Sequence, residues 1–243
     1  MSLELLQRYG PRMLEGLLVT IELVVISVLI GALLAIPIAL ARLSQSRTLR
    51  GLSFAYVYFF RGTPLLAQVF LVYYGSGQFR PYLDSVGLWW FFRDAFFCCV
   101  LTFTLNTAAY QAEIMRGAIR AVPRGQSEAA AALGLKPYQA FLRIIIPQAL
   151  VTALRPLGNE VILMIKGSAI AAVVTVFDLM GVTRLAYARS FDISVYLWAA
   201  VLYLILVELL RRVWDWLERW LTRHLHAHPD TAAARALAPD GQV

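Results

Sequence analysis

The chain has 243 residues, 60% of them hydrophobic and 15% charged, against roughly 25% charged in an ordinary soluble domain. With a mean hydropathy of +0.66, this excludes a water-soluble enzyme or binding module. It leaves a membrane protein with room for five or six spans of about 20 residues each. The net charge of +7 reads as topology rather than nucleic-acid binding, because Lys and Arg in membrane proteins gather on the cytoplasmic side.

In chain order, the first uncharged run covers residues 23–41. Arg8 and Arg12 precede it and Ala39-Leu40-Ala41 has the look of a cleavage site. Even so, the run exceeds the 7–15 residues of a signal-peptide core, and Glu4, Glu15 and Glu22 fit a signal poorly, so it is read as a retained first span. Further uncharged runs at 62–79 and 95–112 give the second and third spans, and 193–207 gives the last, which is short and needs snorkelling flanks. Between them, residues 144–177 carry Arg155, Glu160, Lys166, Pro147 and Pro156. One span at 148–165 followed by an apolar, half-embedded stretch at 168–179 is the preferred reading; two spans, making six in all, is the alternative.

Cys98 and Cys99 are neighbours inside an apolar run. They have no metal spacing and no geometry for pairing, and read as small buried hydrophobes. Residues 211–224 mix Trp214, Trp216 and Trp220 with charges, as a helix leaving the headgroup region does. A single transmembrane domain is therefore expected over 10–224, with a disordered tail at 225–243. His224, His226 and His228 alternate in that region; they read as solvated side chains, and no metal site is expected.

With five spans, the Lys and Arg separate. Arg42, Arg47, Arg50 and Arg61 follow the first span; Arg116, Arg120, Arg124, Lys136 and Arg143 follow the third; Arg211, Arg212, Arg219, Arg223 and Arg235 close the chain. The other side holds half as many: Arg8, Arg12, Arg80, Arg93, Lys166, Arg184 and Arg189. The bias puts the N-terminus outside and the C-terminus in the cytoplasm.

The connection after the third span is the most telling segment. It reads RGQSEAAAALGLKPYQAFLRIIIPQA from Arg124 to Ala149. Pro123 suits a helix start, Glu128 and the alanines propagate the helix, Gly134 ends it and Pro137 opens the next. Two short helices with a bend and few exposed charges make a docking surface.

That loop resembles the EAA loop of ABC-importer permeases: Glu128-Ala129-Ala130, then Gly134, then Ile144 and Pro147, with Ile146 where the family usually has Leu. RGTPLLAQ (61–68), LNTAAYQAEIMRGAIRAVP (105–123) and GNEVILMIKGSA (158–169) resemble the polar-amino-acid uptake type of the same family. The resemblance covers about residues 10 to 220 and implies an all-α membrane protein of about five transmembrane helices with a cytoplasmic two-helix EAA coupling loop. It implies an ATP-driven importer in the bacterial inner membrane. Two copies of an ATP-binding subunit would dock on the loops and hold ATP and Mg, with no cofactor in this chain. A second permease chain, identical or homologous, would complete the pathway, and an extracytoplasmic solute-binding protein would deliver cargo. The chain has no phosphate-loop signature, so hydrolysis falls to the partner. A gradient-driven transporter is the alternative, and no catalytic constellation supports an enzyme.

Ionisable or polar residues at membrane depth are the candidates for the substrate path: Glu22, Asn106, Arg155, Asn159 and Glu160. Arg155 and Asn159 share a helix face, whereas Glu160 lies about 140° away from Arg155. Pro156 removes one backbone hydrogen bond and bends the helix beside them. Each charge also has a structural alternative: Arg155 pairing with a neighbouring span, Glu160 bracing the bend. Two acidic candidates tilt the expected cargo toward basic amino acids or opines.

Overall fold

The computed structural model describes residues 3–222; the 225–243 tail and the histidine trio lie outside the described residues. Among these, all regular structure is helical. The stem is a pair: α1 (Leu3–Leu43) and α6 (Ala95–Ala121) pack more extensively than any other two helices. Gly31 permits the approach, since a Cβ there would come within 2.5 Å of the Thr107 methyl. Toward the inner end Ala35, Ala39 and Ala112 are buried against each other. Small residues at the crossing are how helices pack tightly in lipid, where dispersion replaces the hydrophobic drive.

The second span departs from the expected straight run at 62–79. It is built from α2 (Arg47–Gly62) and α3 (Leu65–Gln78), bent by 103° at the break between them. The cause is local. Pro64 caps α3, and Thr63 before it is extended (φ −111°, ψ 148°) because a residue preceding proline is pushed out of the helical region. The 14 residues of α3 reach about 21 Å, short of the roughly 30 Å hydrocarbon core. Beyond α3, α4 (Arg80–Ser85) and α5 (Trp89–Phe92) form an aromatic connection to Asp94, whose side chain accepts the Phe96 N–H and starts α6.

Beyond α6 the chain is extended at Val122, and Pro123 immediately precedes α7 (Arg124–Ala132) rather than lying inside its first turn. Gly134 takes φ +74°, the left-handed conformation that only glycine adopts without strain, and turns the chain. Pro137 then opens α8 (Pro137–Ala140). The second half of the loop is not a separate short helix. It runs through a π-helical turn at Phe141–Ile145 into α9 (Ile146–Ser168) and a 3₁₀ turn at Ala169–Val174. The whole unit, Pro137–Val174, is 38 residues long, so the expected 148–165 span is the middle of a longer rod.

Thr175 (φ +67°) ends that rod, and Asp178 caps α10 (Leu179–Ser190) by accepting the Gly181 N–H at 2.8 Å. α10 returns to the outer end of α1, where Tyr9, Ala186 and Val195 pack together. The chain finishes with α11 (Ser194–Thr222). Leu23, Val69, Phe103, Met164 and Val174 form the centre of the core, where α1, α3, α6 and α9 meet. Among the described residues four helices are long and apolar enough to cross a membrane, five when the bent α2–α3 pair is counted as one span. The six-span alternative is not supported among the described residues.

Candidate functional site

Leu105 and Asn106 lie near the middle of α6, and both hold the α2–α3 elbow. Tyr56 Oη donates to the Leu105 carbonyl at 2.6 Å, and Asn106 Nδ2 donates to the Phe60 carbonyl at 3.0 Å. Asn106 Nδ2 also lies 3.0 Å from Gln68 Oε1, while Gln68 Nε2 donates to Thr63 Oγ1 at 2.8 Å and reaches the Phe60 and Thr63 carbonyls. The break therefore places unwound backbone against the middle of α6. Its carbonyls are satisfied by side chains instead of by helix, the arrangement that membrane transporters use around solutes.

Glu160 of α9 sits behind this elbow and is buried, with 6% of its surface exposed. Thr107 Oγ1 donates to Glu160 Oε1 at 3.1 Å, and Gln111 Nε2 donates to Thr107 Oγ1 at 3.1 Å and to the Val28 carbonyl at 3.2 Å. Among the described residues no cation lies within ion-pair distance of Glu160. A carboxylate so placed is costly unless something compensates it.

The remaining candidates lie elsewhere. Arg155 and Asn159 share the exposed face of α9 and line a shallow 290 Å³ cleft with Trp214 and Glu218 of α11. Arg155 donates through Nε to Glu218 at 2.7 Å, with 83% of its side chain exposed. The pairing with a neighbouring span is therefore present, and it faces away from Glu160. On the same seam Gly158 admits Trp214, whose Nε1 donates to the Leu154 carbonyl at 2.8 Å. Glu22 is exposed on α1 in line with Leu18, Val25 and Leu29. The structure brings Asn106 and Glu160 to one region and leaves Glu22, Arg155 and Asn159 outside it.

Three residues that sequence reasoning passed over belong with them: Gln68, Thr107 and Gln111. Their signal was a polar line on α6 among small residues, and a glutamine just past a Thr-Pro step in an apolar run. Arg61, counted with the inner loop, instead lies over the Tyr110 ring at 5.1 Å, well inside the length of α6.

At the inner end, Glu113 is gripped by two guanidinium groups: Arg42 Nε at 2.8 Å, and Arg116 through both nitrogens at 2.7–3.0 Å. This ties α1 to α6 just above α7. On the loop itself Glu128 and Ala129 are exposed, while Ala130 is buried as α7 packs back on the π-helical turn. Ile144 is half-buried in that turn and Pro147 is exposed in the first turn of α9. Leu133, Tyr138 and Leu142 stand out with 80%, 60% and 60% of their surface exposed, an apolar face around the Gly134 bend.

A span broken against the middle of α6, together with an apolar face on the loop between α6 and α9, fits a membrane-embedded transporter subunit. The chain belongs to the family described as binding-protein-dependent transport system inner membrane component, which matches residues 27–223. It is similar to the nopaline transport system permease protein NocM of Agrobacterium fabrum, 40% identical over 97% of this chain and 98% of that protein. It is 39% identical to the arginine ABC transporter permease ArtM of Haemophilus influenzae, over 82% and 88% of the two chains. Among solved structures, it superposes on a chain of an amino acid ABC transporter crystallised with histidines, with a TM-score of 0.78 and 33% identity over 90% of this chain and 99% of that one. A methionine ABC transporter, MetNI, shares the fold with a TM-score of 0.72 at 21% identity. The chain is thus a multi-pass inner-membrane permease of an ABC importer. ATP hydrolysis belongs to a separate subunit, a binding protein completes the system, and the gradient-driven alternative falls away.

Proposed function

We propose that this chain forms half of the pathway of an importer for basic amino acids or opines. Glu160 and the Asn106-braced elbow line the path. The observation that carries the reading is Glu160: a buried carboxylate on an apolar helix, hydrogen-bonded by Thr107 but with no cation in ion-pair contact among the described residues. A cationic cargo supplies the missing charge. Relatives named for nopaline, octopine and arginine transport support the same cargo class.

The second half comes from another permease chain, identical or homologous, and lipid surrounds the pair. Two ATP-binding subunits, carrying the ATP and Mg, dock on the loops through the surface around Glu128, Ala129 and Gly134, with Ile144 and Pro147 joining the loop to the span. The binding protein sits on the outer face. In this arrangement the N-terminus is outside and the C-terminus cytoplasmic; residues 10–224 act as one domain and 225–243 as a tail.

The test is uptake of radiolabelled arginine by cells lacking the chain and complemented with wild type or Glu160→Gln. The variant is expected to lose at least about tenfold of the uptake, the scale of one charge-assisted interaction, while still co-purifying an ATPase carrying a phosphate loop. Unchanged uptake by Glu160→Gln, or a wild type that never restores it, overturns the cargo path.

A further inference from the structure

Beneath the elbow lies a cavity of about 350 Å³, lined by Arg42, Phe54, Tyr58, Arg61, Tyr110 and Glu113 among others. That volume falls in the roughly 300–1,000 Å³ range of small-molecule sites. The charges around it do not cancel. Glu113 is already shared by Arg42 and Arg116, so that cluster alone carries one positive charge in excess. Arg61 adds another. Its guanidinium is stacked on Tyr110 at 5.1 Å and, among the described residues, meets no carboxylate within ion-pair distance.

Arg61 precedes the break at Thr63 by two residues, and Tyr110 follows Thr107 by one helical turn on α6. The arginine and the Glu160 carboxylate therefore meet the same stretch of α6, one at Tyr110 and the other at Thr107. Among the described residues the two make no ion pair with each other. An unpaired cation and an unpaired carboxylate beside one stretch of α6 fit a ligand that carries both charges itself. Arg155, the cation that sequence suggested, is already engaged by Glu218 on another face.

We infer that Arg61 reads the carboxylate of the cargo. The guanidinium, fixed in orientation by the Tyr110 ring, receives the α-carboxylate of the amino acid in a forked pair, and Glu160 receives the cationic end. Arginine suits this task better than lysine because its planar fork matches a carboxylate and stacks on an aromatic face. The assignment rests on the cargo path proposed above and adds to it the residue that separates amino acids from simple amines. A cation without a carboxylate would satisfy Glu160 and leave Arg61 unmet.

The test uses the intact complex taken from its own membranes into lipid nanodiscs, without the binding protein, so that the selectivity of that protein does not enter. Binding of radiolabelled arginine is measured, with competition by arginine and by agmatine, its decarboxylated counterpart. Wild type is expected to prefer arginine by about tenfold or more. Arg61→Gln should lower arginine affinity by a similar factor and leave agmatine unchanged, so that the preference collapses; Arg61→Lys should restore part of it. Glu160→Gln should weaken both ligands together.

A merely structural role for Arg61 would weaken both ligands equally, and that result overturns the assignment, as does a preference that survives Arg61→Gln. Collapse of the preference in Arg61→Gln with no effect of Glu160→Gln would keep the arginine assignment and sink the role given to Glu160. A wild-type complex that binds neither ligand overturns the cargo reading and the assignment with it.

Discussion

Two charged residues five positions apart on α9 live in opposite surroundings. Glu160 faces α6, is buried, and holds a hydrogen bond from Thr107. Arg155 faces outward beside α11, mostly exposed, and holds Glu218. Both sit in the same stretch of an apolar helix and would be ranked together by any rule that counts charges at membrane depth. The difference lies in what each has for company. Arg155 has its counter-ion within the chain, whereas Glu160 has a hydrogen bond from Thr107 and no ion pair among the described residues, and it is this carboxylate that we propose meets the cargo.

The bluntest way to probe this contrast is to disconnect the helix that carries both. Gly134→Asp puts a side chain at φ +74° and a charge on the docking bend. It should abolish uptake and ATPase co-purification while the chain remains in the membrane; full uptake by a stably inserted variant would remove the loop from the coupling path. Next comes the elbow. Asn106→Ala removes one of the two donors to the Phe60 carbonyl and leaves Gln68 Oε1 without its partner, at about 1–3 kcal/mol for the buried group left unsatisfied. A fall of several degrees in the thermal midpoint of the purified complex is expected together with at least a tenfold drop in arginine uptake. Wild-type stability would show the elbow holds without it.

Gly158→Val tests the seam on the Arg155 side, since a Cβ there would meet Trp214 at 2.5 Å. Overpacking of this kind costs about 1–3 kcal/mol, so thermal stability should fall while the ratio of arginine to agmatine affinity stays unchanged. The smallest effect belongs to Arg155→Gln. An exposed pair contributes at most about 1 kcal/mol, and uptake should stay within about twofold of wild type. A loss as large as that of Glu160→Gln would erase the distinction between the two faces.

Much of the fold was legible because its signals are local. Gly134 and Pro137 punctuate the loop by backbone chemistry alone, and the uncharged runs at 23–41 and 95–112 fall within α1 and α6. The 140° between Arg155 and Glu160 followed from helix geometry, but which of them faced the bundle did not, because that depends on neighbours far off in sequence. The break in the second span was hidden for another reason. Hydropathy records what a run is made of and not where it points, so 62–79 looked continuous although Thr63-Pro64 carried the stop. Arg61 then counted as a loop charge because the loop was assumed to end where the apolar run began. Gln68, Thr107 and Gln111 escaped notice as uncharged side chains inside apolar segments; only packing reveals that Gln68 meets Asn106 and that Gln111 meets Thr107.

The unbroken passage from Pro137 to Val174 has a mechanical corollary. The two ends of the loop are joined to the spans differently: α7 hangs from α6 through the extended Val122, a strap, while α8 is welded into α9. A pull on the loop is absorbed at the strap and delivered along the weld. Glu160 stands 23 residues from Pro137, a shaft of about 35 Å at the helical rise, and its bond to Thr107 bridges the driven helix and the undriven one. On the coupling path we propose, that hydrogen bond is one of the contacts at which work done on the loop registers as shear, a strain gauge between the two helices.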